Sequence, residues 1–90
     1  MRSAFAEEYE LCLAALIEAR RKAGLTQQAL ATRLRKHQSF IAKYETSQRR
    51  LDIAEFFMIA RIIGVLPPAM LKAILNAAPH MNIRHRSRPR

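Results

Sequence analysis

Glycine, cysteine and acidic residues are all scarce in this chain of 90 residues. Gly24 and Gly64 are the two glycines, so a glycine-rich loop of the kind that cradles phosphates is excluded. Period-two alternation of β-branched residues is also missing, and no strand is expected. Cys12 is the single cysteine, which rules out a disulfide within the chain and suits a reducing, cytoplasmic setting. His37, His80 and His85 have no partners at ligand spacing, so no metal site is expected. No apolar run approaches the ~18 residues of a membrane-crossing helix, and residues 1–10 lack the apolar stretch of a secretory signal. Neither a nucleophile–base pair nor a carboxylate dyad stands out, which argues against an enzyme and against a cofactor.

What is present is positive charge. Sixteen Lys and Arg face seven Asp and Glu, a formal charge of +9, and such an excess favours a polyanionic partner such as nucleic acid or an acidic membrane surface. Residues 1–10 carry a net −2, residues 80–90 carry +4, and the stretch between holds +7. The charge is therefore chiefly a property of the part expected to fold. Half of the residues are apolar, enough for one small domain over residues 1–79.

Five helices are expected. Phe5, Tyr9, Leu13, Leu16, Ile17 and Arg20 keep i, i+3, i+4 spacing, which predicts a helix over about 4–22 closed by Gly24. Glu7, Glu8 and Glu10 lie near its start and Arg20, Arg21 and Lys22 near its end, as the helix dipole favours. Thr26 is a good N-cap for a second helix at 27–34, with Leu30, Ala31 and Leu34 inward. A third takes 38–45. Asp52 caps a fourth at 53–63, with Ile53, Phe56, Ile59, Ala60 and Ile63 on one face and Gly64 at its end. Pro67 and Pro68 suit the start of a fifth at 67–78. The remainder, 80–90, is densely charged and without periodicity, and is expected to form a disordered basic tail.

The third helix, QSFIAKYE, divides by face. Ile41, Tyr44 and Glu45 cluster on one side, and Ser39, Ala42, Lys43 and Thr46 lie on the other. The first has the character of a core. The second is short and polar, as a major groove requires of a helix that approaches closely.

The order GLTQQALATRL, QSFIAKYE, RRLDIAEFFMIARIIGV resembles the lambda-repressor and Cro type of helix-turn-helix domain, the XRE family, over about residues 13–66. The resemblance implies an all-α fold and sequence-specific binding of double-stranded DNA by a bacterial or phage transcriptional regulator such as a repressor. It implies base contacts from Gln38, Ser39 and Lys43, and phosphate contacts from Thr26 and Gln27 at the start of the second helix and from Arg49 and Arg50 in the loop before the fourth. Gln28, His37, Phe40 and Thr46 are possible further contacts; Phe40 either touches a thymine methyl or packs on the second or fourth helix. Arg20 and Glu45 are implied to form a largely buried salt bridge. Many members carry glycine where this chain has Arg35, so the turn here either avoids positive φ or carries a strain of about 1 kcal/mol.

Apolar side chains cover most of the fifth helix, with only Lys72 and Asn76 polar. Met70, Leu71, Ile74 and Leu75 are therefore expected to join two copies in a homodimer whose reading helices stand ~34 Å apart, matching a palindromic operator. A rival reading is a protein-interaction module, such as the antitoxin of a toxin–antitoxin pair. Binding to an acidic membrane fits poorly, since it calls for a helix with a basic face opposite an apolar stripe and the fifth helix has only Lys72 to offer.

Overall fold

The computed structural model describes residues 6–65 together with Pro68, Ala69, Lys72 and Asn76. Regular structure among these residues is entirely helical: α1 (Ala6–Lys22), α2 (Gln27–Leu34), α3 (Gln38–Glu45) and α4 (Ile53–Ile63). Pro68, Ala69, Lys72 and Asn76, within the expected fifth helix, are helical and exposed. Its apolar residues Met70, Leu71, Ile74 and Leu75, the tail at 80–90 and the expected helix start at residues 4 and 5 lie outside the described residues.

The helix ends follow from local chemistry. The Thr26 hydroxyl accepts the Ala29 N–H at 3.0 Å, taking one of the donors that every helix start leaves orphaned. Asp52 does the same for α4 at 2.7 Å, and the Glu55 carboxylate accepts the Asp52 N–H at 3.0 Å, which completes a capping box. At its other end α4 stops on Gly64, whose φ of 97° is costly for residues with a Cβ.

The core is shared among all four helices. Leu13 and Leu16 from α1, Leu30 and Ala31 from α2, Ile41 and Tyr44 from α3, and Ile59 and Ala60 from α4 are its buried apolar members. Helix α2 packs against α3 and α4, and α1 packs against α4. The expectation that Ile53 joins this face is not met: Ile53 is 73% exposed. It is the first residue of α4, and the core reaches that helix only from Phe56 onward, one turn further in.

Candidate nucleic-acid interface

Helices α2 and α3 are joined by Arg35, Lys36 and His37. Arg35 takes the left-handed conformation, with φ 59° and ψ 41°. The turn therefore does use positive φ, at a cost of about 1 kcal/mol relative to glycine. In return the last carbonyls of α2 are satisfied: Lys36 N–H donates to Ala31 O at 2.9 Å and Arg35 N–H to Thr32 O at 3.2 Å. His37 then caps α3, its Nδ1 accepting the Ser39 N–H at 3.1 Å and lying 3.0 Å from the Ser39 hydroxyl. The residues that open α3 are thus held by the turn that precedes them.

The inward side of α3 is fixed by packing. Ile41 and Tyr44 have no solvent exposure. Burial pushes the Tyr44 phenol well above its ordinary range, so it stays neutral. Next to it, Glu45 meets Arg20 of α1: Arg20 Nε donates to Oε2 at 2.7 Å and Nη2 to Oε1 at 3.0 Å. The two side chains are 9% and 6% exposed. The third arm, Nη1, donates to the Leu25 carbonyl at 2.7 Å. This buried guanidinium is therefore paired and hydrogen-bonded on all sides that matter for its desolvation, and the hydrogen bond to Glu45 raises its pKa further.

The outward side carries polar groups. Lys43 and Thr46 are exposed, while Gln38, Ser39 and Ala42 are half-buried. The Gln38 amide donates to Gln27 Oε1 at 2.6 Å, which ties the first residue of α3 to the first of α2. The Thr46 hydroxyl donates back to the Ala42 carbonyl at 2.8 Å. Gln28, exposed on α2, bonds to the Thr32 hydroxyl at 3.3 Å. Phe40 is half-buried against the core, edge-on to Tyr44 at 5.6 Å between ring centroids. Lys36 and Arg49 lie over its ring at 5.4 and 4.9 Å, so the ring serves as a platform for two cations.

The loop before α4 holds two arginines with different commitments. Arg49 forms a two-pronged pair with Glu55, Nη1 to Oε1 at 3.0 Å and Nη2 to Oε2 at 2.7 Å. That hydrogen bonding, with a further bond from the Asp52 backbone, lowers the Glu55 carboxyl to about 2. Arg50 instead stacks over Tyr9 of α1 at 3.8 Å, and the Tyr9 hydroxyl accepts the Leu51 N–H at 3.1 Å. Sequence reasoning missed Glu55 as a partner of Arg49, although the Asp52-to-Glu55 spacing of a capping box was there to read. It also missed Lys36, whose exposed ammonium sits at the turn.

A short helix held by its inner face, preceded by a three-residue turn and offering polar side chains outward, defines a helix-turn-helix DNA-binding domain. Residues 16–77 match the helix-turn-helix family model. Among solved structures, an XRE-family like protein from Pseudomonas syringae pv. tomato str. DC3000 is 45% identical, with a TM-score of 0.70 over 79% of this chain and 87% of that one. A search of curated proteins finds no match. The chain belongs to the XRE family of helix-turn-helix proteins, whose domains are DNA-binding regulators and not enzymes. No helix among the described residues is long and apolar enough to cross a membrane.

Proposed function

We propose that the protein reads a specific double-stranded DNA operator with α3 and so regulates transcription. Gln38, Ser39 and Lys43 face base edges, with Phe40 and Thr46 at the margin of that surface. Thr26, Gln27, Arg49 and Arg50 hold phosphates, and Gln28 and His37 flank them. The observation that carries this reading is the division of α3 into a side with Ile41 and Tyr44 buried and a side with Lys43 and Thr46 exposed. Only the second is available to a groove. The net charge of +9 supplies the accompanying sequence-independent attraction.

The operator is palindromic in this proposal, because the protein binds as a homodimer through Met70, Leu71, Ile74 and Leu75. Support comes from the pattern of the segment and from the exposure of Lys72 and Asn76, its polar members. Light scattering at tens of micromolar checks this: a dimer that Leu71→Glu dissociates is expected, and a wild-type monomer with and without DNA contradicts it.

A second reading, a module whose main partner is another protein, such as an antitoxin, draws on one feature. Ile53, Phe57 and Met58 are exposed by 73%, 48% and 48%, and Ile53 and Phe57 border an apolar groove with Tyr9, Cys12, Leu51 and Phe56. Binding to mixed-sequence duplex DNA across a salt series separates the two. DNA binding predicts affinity that falls linearly with the logarithm of salt concentration. Lack of binding even at low salt leaves the protein-partner reading.

A further inference from the structure

We propose that Glu45 is a positioning residue for base reading as well as one half of a core ion pair. The inference rests on the assignment of Gln38 as a base-reading residue. It starts from four hydrogen bonds that run in series from the core to the outer surface. Arg20 donates to both oxygens of Glu45. The Gln27 amide donates to Glu45 Oε1 at 2.9 Å, and the Gln38 amide donates to Gln27 Oε1 at 2.6 Å.

The direction of this relay is set at its inner end. An ionised carboxylate offers acceptors alone, so Gln27 must turn its NH2 group toward Glu45. Its carbonyl oxygen is then the atom presented to Gln38, and Gln38 must in turn point its own NH2 inward. A glutamine amide has two chemically different ends, and on an open surface it flips between them at little cost. Here each flip would set oxygen against oxygen or NH2 against NH2, in a setting where both glutamines are half-buried and water is a limited substitute.

The consequence at the outer end is a choice of base. With one N–H committed to Gln27, Gln38 keeps its Oε1 acceptor and one remaining N–H donor for DNA. Adenine offers the complement in the major groove, the N6 donor and the N7 acceptor. Guanine offers N7 and O6, both acceptors, and would leave Oε1 facing another acceptor. Glu45 touches no DNA in this scheme, and acts only through Gln27.

Duplexes enriched by the wild-type protein from a random-sequence pool supply the probe. The position read by Gln38 is the one whose preference Gln38→Ala erases, and adenine is expected there. In the paired variant Arg20→Met with Glu45→Leu, verified as folded by circular dichroism, the preference for adenine over guanine at that position should fall about tenfold. Preferences at positions read by Lys43 should persist. Should the paired variant fail to fold, Gln27→Leu leaves the ion pair in place and carries the same expectation. Loss of a phosphate contact at Gln27 weakens binding without moving base preference, so the ratio distinguishes the relay from a simple backbone contact. A wild-type adenine preference in either folded variant overturns the relay, as does guanine at the Gln38 position of the wild-type consensus. If Gln38→Ala leaves every preference intact, the reading role of α3 itself fails and the relay falls with it.

Discussion

Two arginine–glutamate pairs, Arg20–Glu45 and Arg49–Glu55, share a closest contact of 2.7 Å but sit in opposite settings. The first lies between α1 and α3 with its side chains 9% and 6% exposed; the second lies at the start of α4 with 42% and 25% exposed. Geometry alone would rank them as equals. Surroundings separate them. In the inner pair, water has been removed from both charges, so either partner left alone is an uncompensated buried ion. In the outer pair, solvent and salt screen the attraction and either partner can be rehydrated. The inner pair is therefore a fixed part of the fold, and the outer pair is exchangeable: a phosphate can compete with Glu55 for Arg49, whereas the Arg20 side chain is 9% exposed and already committed to Glu45 and Leu25.

The largest expected effect tests that contrast directly. Glu45→Ala should destabilise the domain by about 3–5 kcal/mol, which corresponds to a melting temperature lowered by roughly 12–40 °C in a domain of this size. Glu55→Ala should shift it only slightly, and Glu18→Ala, on the exposed side of α1, provides a reference. Thermal melts of the three variants check this. Equal shifts for Glu45→Ala and Glu18→Ala would erase the distinction between an inner and an outer pair.

A smaller effect concerns DNA. If Arg49 must leave Glu55 to hold a phosphate, then Glu55→Gln should remove that competition and tighten binding to mixed-sequence duplex at low salt. Arg50→Ala should weaken binding and flatten its salt dependence by about one unit. Titrations at several salt concentrations measure both. An unchanged affinity in Glu55→Gln would place Arg49 away from the backbone.

The smallest effect is the response of the outer pair to acid. The Glu55 carboxyl falls from an ordinary 4.5 to about 2 in the fold, chiefly through its hydrogen bonds from Arg49. A carboxyl with a depressed pKa contributes stability that is present above its unfolded value and lost as pH falls through its folded one. The melting difference between the wild type and Glu55→Gln should therefore be constant above about pH 5 and shrink between about pH 4.5 and pH 2. A difference that stays the same at pH 2.5 would mean that the pair contributes nothing through charge.

Much of the fold was legible because helix ends are written in local chemistry. Thr26, Asp52 and Gly64 mark boundaries through groups that lie within a few residues of one another, and the bounds of α2, α3 and α4 agree with those expected from them. The inward face of α3 was legible too, since Ile41, Tyr44 and Glu45 follow helical spacing. Ile53 misled because periodicity says which side of a helix is apolar, but not where along its length the core begins. The relay was out of reach for a different reason. Gln27 and Glu45 are 18 residues apart and Gln27 and Gln38 are 11 apart, and contacts between helices depend on packing, not on spacing within one helix. Arg35 was half legible: a missing glycine warned of strain, and the left-handed φ of 59° shows that the turn accepts it.

In the proposed function α3 reads bases while the loop before α4 only grips the backbone. Selection of bound sequences from a random duplex pool, carried out in parallel with wild type, Gln38→Ala, Lys43→Ala and Arg50→Ala, tests it most directly. One enriched motif is expected for the wild type, a preference relaxed at one or two positions and worth about 1–3 kcal/mol in each of the two α3 variants, and the same motif bound more weakly by Arg50→Ala. A preferred sequence that changes with Arg50→Ala but survives Gln38→Ala and Lys43→Ala would contradict it.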